Sequence, residues 1–72
     1  MESFVLTADY ITLGQFLKEI GEIGTGGQAK WYLQDEEVLV DSELETRRGR
    51  KLYQGMQVKL ADGRIFQIVE SK

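Results

Sequence analysis

Hydrophobic positions along the chain change their period twice. Over residues 3–6 they alternate, with Phe4 and Leu6 on one side, as in a short half-buried strand. From there they recur as Leu13, Phe16, Leu17 and Ile20, the i, i+3, i+4, i+7 spacing of a helix that buries one face. The start of that helix is marked by Thr12 and, three positions later, Gln15, a capping-box pair in which each side chain satisfies a backbone donor at the other. Ile11 and Phe16 stand at the spacing of a hydrophobic staple, and Gly21 is placed to end the helix. A second Thr-x-x-Gln pair, Thr25 and Gln28, opens a second helix with Ala29, Tyr32 and Leu33 on its apolar side and an end near Asp35. The short connection between the two predicts that they pack against each other.

After Glu37 the period shortens. Residues 38–40 read as a strand, Asp41-Ser42 as a turn, and Leu44 as the start of a short return. Residues 47–51 form a basic, irregular segment; 53–55 turn into a strand over 56–60; Asp62-Gly63 is a two-residue hairpin signal, and a last strand covers 64–69. No repeat, linker or proline divides the 72 residues, so a single domain is expected over 1–72. The expected architecture is α+β, with two N-terminal helices packed on a small antiparallel sheet.

Composition removes several function classes. With neither cysteine nor histidine, disulfides and the usual zinc ligands are absent, and the 42% of hydrophobic residues must stabilise the domain alone. No stretch approaches the roughly 18 apolar residues of a membrane span, and no basic-then-apolar leader opens the chain, so a cytoplasmic protein without membrane contact is expected. Catalysis has little support. General base and nucleophile roles would fall to carboxylates, Lys, Ser, Thr or Tyr, and no carboxylate spacing suggests a catalytic pair or a metal cage. Gly24, Gly26 and Gly27 lack the spacing of a Walker loop. No cofactor is expected.

The net charge of −3 argues by itself against nucleic acid, but the charges are unevenly placed. Of nine Lys and Arg residues, Arg47, Arg48, Arg50 and Lys51 fall together around Gly49, while an acidic run sits at Asp35, Glu36 and Glu37. Charges beyond about 8 Å are largely screened at physiological salt, so a focused basic patch can hold phosphate on an acidic molecule. Arginine adds planar, bidentate contact. The plainer alternative is a solvated loop that balances Glu43 and Glu45.

Gly26 and Gly27 lie at the start of the second helix, where absent side chains leave amides open to an anion. Lys30 follows one turn after Gly27 and Gln34 another turn on. The alternative is that these glycines allow tight helix packing or a flexible turn, with Gln28 only a cap. Trp31, the lone tryptophan, is expected in the core; otherwise it could stack on a base.

The order of these segments resembles the S-four-type RNA-binding domain, and most closely its short, free-standing YaaA-like members. The stretches that carry the likeness are Tyr-Ile-Thr-Leu-Gly-Gln-Phe-Leu-Lys from Tyr10, Thr-Gly-Gly-Gln-Ala-Lys-Trp from Thr25 and Arg-Arg-Gly-Arg-Lys-Leu from Arg47. Residues 11–60 span the core of the resemblance. It implies an αα-β surface for structured RNA, ribosomal RNA or a ribosomal particle, with no chemical turnover. Where the wider family starts its second helix with a basic pair, this chain has Gly26-Gly27, which shifts weight to Arg47, Arg48, Arg50 and Lys51. Gly26, Gly27, Gln28 and Lys30 would form a second contact about one helix away, and Lys18 would extend the surface. The rival reading is a protein-interaction module that meets an acidic partner. Nothing in the sequence requires an oligomer, and a monomer is the working expectation.

Overall fold

Both predicted helices form in the computed structural model, which describes residues 1–70. Helix α1 covers Leu13–Glu19. Its capping box is in place: the Gln15 amide donates to Thr12 Oγ1 at 3.3 Å, and the Thr12 amide donates to Gln15 Oε1 at 3.4 Å. Gly21 ends it at φ 84, as its amide donates to the Lys18 carbonyl and the Glu22 amide to that of Leu17. This is the paired bonding of a Schellman motif, in which glycine supplies the left-handed residue. The second helix begins with a 3-10 turn, Gly26–Gln28, and continues as α2, Ala29–Asp35.

The strands are β1 (Glu2–Leu6), β2 (Ile11–Thr12), β3 (Leu39–Val40), β4 (Glu43–Leu44), β5 (Lys51–Leu52), β6 (Gln57–Lys59) and β7 (Ile65–Glu70). Five of them form one sheet in the order β1-β7-β6-β3-β4, while β2 and β5 pair separately. Two expectations are corrected here. The helices are not N-terminal, because β1 and β2 precede them, and the sheet is mixed, because β1 runs parallel to β7 with Glu2 opposite Phe66. Alternation shows which side chains of a strand face inward, and it is the same whichever way the neighbour runs.

Both helices lie against the sheet, and the buried set comes from nearly every element: Leu6, Leu13, Phe16, Leu17, Leu33, Val40, Leu52, Val58, Phe66 and Ile68 among others. Phe16 is fully enclosed. Its ring meets Phe4 at 5.0 Å and Phe66 at 5.3 Å between centroids, edge to face in both cases. Beside this core, Arg64 pairs with Glu22 and with Asp62, and Glu22 also accepts from the Tyr32 hydroxyl, which ties the β6–β7 loop to the helices. No helix among the described residues is long and apolar enough to cross a membrane.

The turns depart from expectation in detail. Residues 60–64 close as a three-residue loop, with the Gly63 amide on the Leu60 carbonyl and Gly63 at φ 96, so the two-residue reading of Asp62-Gly63 is corrected. The β3–β4 turn does have two residues, Asp41 at φ 51 and Ser42 at φ 72. A two-residue hairpin of this kind needs positive φ at both positions, which costs a non-glycine residue roughly 1–2 kcal/mol. Ser42→Gly is therefore expected to stabilise the domain by about 1 kcal/mol, raising its melting midpoint by about 4–8 °C. An unchanged midpoint in a calorimetric scan would refute this. Asp41 is less free to change, because its Oδ1 accepts the Gln57 amide at 2.9 Å and ties the hairpin to β6.

Candidate nucleic-acid interface

The basic segment leaves β4 through Glu45, and Glu45 organises everything that follows. Its carboxylate is buried and receives five hydrogen bonds: the Thr46 and Arg47 amides, Arg47 Nε at 3.0 Å and Nη2 at 3.2 Å, and Arg50 Nη1 at 2.8 Å. The Arg47 guanidinium is the largest influence holding this carboxyl down to about 2, opposed by its burial and helped by the Arg47 amide and by Arg50. Arg50 is mostly covered, whereas Arg47 keeps 73% of its side chain exposed. The balancing carboxylate anticipated from the sequence is thus Glu45, and Glu43 makes no ion pair among the described residues.

Arg48 and Lys51 are left over. Both are exposed, and neither meets a carboxylate among the described residues. Their backbone is nonetheless fixed. The Leu13 amide donates to the Arg50 carbonyl at 2.8 Å, and the Gly14 amide to that of Arg48 at 2.9 Å. These are first-turn amides of α1, which have no partner within their own helix. The loop thereby caps the helix, and the helix holds the loop.

Gly14 makes this approach possible. A Cβ built there would touch Ala29 Cβ, Arg48 Cβ and the Arg48 carbonyl oxygen, each at 3.4 Å. Loop, first helix and second helix meet at that point. The sequence offers Gly26 and Gly27, and not Gly14, as candidate packing glycines. Neither packs: a Cβ at Gly26 meets nothing within 4 Å, and one at Gly27 only Thr25 Oγ1 at 3.9 Å. Neither has positive φ. Their openness faces solvent.

Gly26 lines a shallow cleft with Thr12, Gly14, Gln15, Arg48 and Gly49. The glycine-started helix and the arginine loop therefore share one cleft, and the expected separation of about one helix is corrected. Gln28 serves as a cap, its Oε1 accepting the Gly24 amide at 2.6 Å and the Thr25 amide at 3.2 Å. Lys30 is exposed, with Nζ 5.6 Å from the centre of the Trp31 ring. Trp31 is 63% exposed, which overturns its expected place in the core. The apolar side of α2 is already filled by Ala29 and Leu33, and Trp31 points elsewhere. Lys18 lies apart from the cleft, in a groove between β1 and α1 that Tyr10 and Gln15 also line.

The family model for the S4 domain matches residues 4–69, from β1 to β7. The chain belongs to the S4 domain family. A Bacillus subtilis protein named probable ribosome maturation protein RlbA is 50% identical over 64 residues, covering 89% of this chain and 90% of its own. The S4 domain match includes all three elements that meet at Gly14, and both outer strands as well. Within this S4 domain no group of three or more Asp and Glu residues is placed to hold a metal among the described residues.

Proposed function

We propose that this S4 domain binds structured RNA, ribosomal RNA or a ribosomal particle, in the cytoplasm and as a monomer, without chemical turnover. The observation that carries the reading is the shared cleft: Arg48, free of any carboxylate among the described residues, faces the open Gly26 start across it. Arg48 and Lys51 contact backbone phosphates, and Gly26 and Gly27 let a phosphate approach the backbone amides. Lys30 and Lys18 widen the basic surface on either side. Arg47 contributes through its exposed face, while Arg50 shapes the loop from within. Recognition is of RNA shape and backbone, as is general for folded RNA. Ribosome maturation in the name of the Bacillus relative supports an RNA or ribosomal partner.

The test is binding to purified ribosomal RNA over a salt series, with wild type beside Arg48→Ala/Lys51→Ala. Losing two phosphate contacts is expected to weaken binding by tenfold or more and to make the salt slope shallower by about 2. Melting should change little, since neither side chain makes an ion pair among the described residues and Lys51 only overlies the exposed Tyr10 ring. Gly26→Ala is the companion variant. Its new methyl meets nothing on the protein, so stability holds or rises by about 0.5 kcal/mol while RNA affinity falls. Wild-type binding that is absent at low salt, or indifferent to salt, would overturn the proposal.

A further inference from the structure

The β2–β5 pair is only two residues long, Ile11 opposite Leu52 and Thr12 opposite Lys51. Its effect lies just beyond its end, where Tyr10 and Tyr53 are brought side by side. Their rings are 5.7 Å apart at the centroids and tilted by 48°. Both are exposed, 40% for Tyr10 and 42% for Tyr53, in a domain whose three Phe rings serve the core. Lys51 Nζ sits 5.0 Å from the centre of the Tyr10 ring. Tyr53 lines the groove of the basic loop together with Arg47, Arg50 and Lys51, whereas Tyr10 lines the groove that holds Lys18. The two rings thus form a ridge between the cation-lined groove of the basic loop and a second groove that holds Lys18 beside Glu19.

We propose that Tyr10 and Tyr53, with Lys51, form a stacking platform for one unpaired base of the bound RNA. This rests on the RNA reading above and specifies it. A strand that passes from one groove to the other crosses an aromatic ridge, with Lys51 placed for the adjoining phosphate. Aromatic faces hold any base, because every base has a π-face, and the attraction is sequence-tolerant. A base inside a duplex has no free face to offer, so the platform selects RNA with a bulge, loop or end. The ring faces explain why two tyrosines stay exposed, and the cations of the basic loop beside them, Lys51 above all, favour a nucleotide over an apolar peptide.

Two blunt RNA duplexes separate the possibilities, one fully paired and one with a single bulged 2-aminopurine, whose emission falls on stacking. Wild type is expected to prefer the bulged duplex by about tenfold and to quench the probe. Tyr53→Leu should abolish preference and quench while keeping the affinity for the paired duplex, and Tyr53→Phe should retain both. Equal melting midpoints establish that the variants are folded. If wild type binds both duplexes alike and in a salt-sensitive way, the RNA reading stands and the platform falls. If Tyr53→Leu keeps the preference, the platform also falls. Binding to neither duplex overturns the RNA reading and the platform with it.

Discussion

Glu45→Ala is expected to destabilise the domain by about 2–3 kcal/mol and to lower the melting midpoint by roughly 10–20 °C. The substitution strands two backbone amides and leaves Arg50, mostly covered, without its counter-charge. Arg47 regains water and contributes little to the loss. RNA binding should weaken as well, although a positive charge has in effect been gained, because the loop no longer holds Arg48 in place. That opposite movement of charge and affinity distinguishes an organising role from a simple electrostatic one. Tighter binding by the variant would show that Glu45 merely neutralises the loop. Acid offers the same perturbation reversibly. The folded carboxyl lies near 2 and the unfolded one near 4.5, so its stabilisation is complete above 4.5 and disappears as pH falls toward 2. Discounted for solvent screening, the loss is about 1–2 kcal/mol, less than for Ala because the protonated acid keeps its shape. In Glu45→Gln, urea unfolding at pH 5 and pH 3 should differ by that much less than in wild type.

The larger effect belongs to Phe16→Ala, expected to cost about 3–5 kcal/mol. A domain of this size has a total stability of about 4–10 kcal/mol, so the variant stands at the edge of unfolding. Phe16 is the contact through which α1 grips both members of the parallel pair, Phe4 from β1 and Phe66 from β7. Amide exchange in those two strands should accelerate first. A loss below 1.5 kcal/mol would mean that the neighbours collapse into the space and that the edge-to-face pairs matter little.

What could be read from the chain was whatever is local. Both Thr-x-x-Gln pairs place helix starts correctly, and Leu13, Phe16 and Leu17 all lie in the core, because capping and one-faced periodicity depend on neighbours within a few positions. The parallel partner of β1 was illegible, since Glu2 and Phe66 share no local signal. The two-residue β2–β5 pair is too short to show a period, and the tyrosine ridge it creates was missed with it. Gly14 was passed over because glycine within a helix reads only as a weak helix former, whereas its function is to admit the Arg48 backbone. Four adjacent cations likewise look equivalent in sequence, and only the position of Glu45 divides them into two that it holds and two that it does not.

The parallel pairing of β1 with β7 has a consequence for how the chain reaches its fold. Hairpins β3–β4 and β6–β7 close over short loops, but β1 must wait until nearly the whole domain has been synthesised before its neighbour exists. Such distant pairing slows folding, because the entropy of closing a long loop is lost before contacts compensate it. During that interval Phe4 and Leu6 have no companion strand, and an uncovered apolar strand is the segment on which a nascent chain misassembles. Charged Glu2 at one end of the strand, with exposed Thr7, Ala8 and Asp9 just past the other, keeps that apolar stretch to a few residues during the wait.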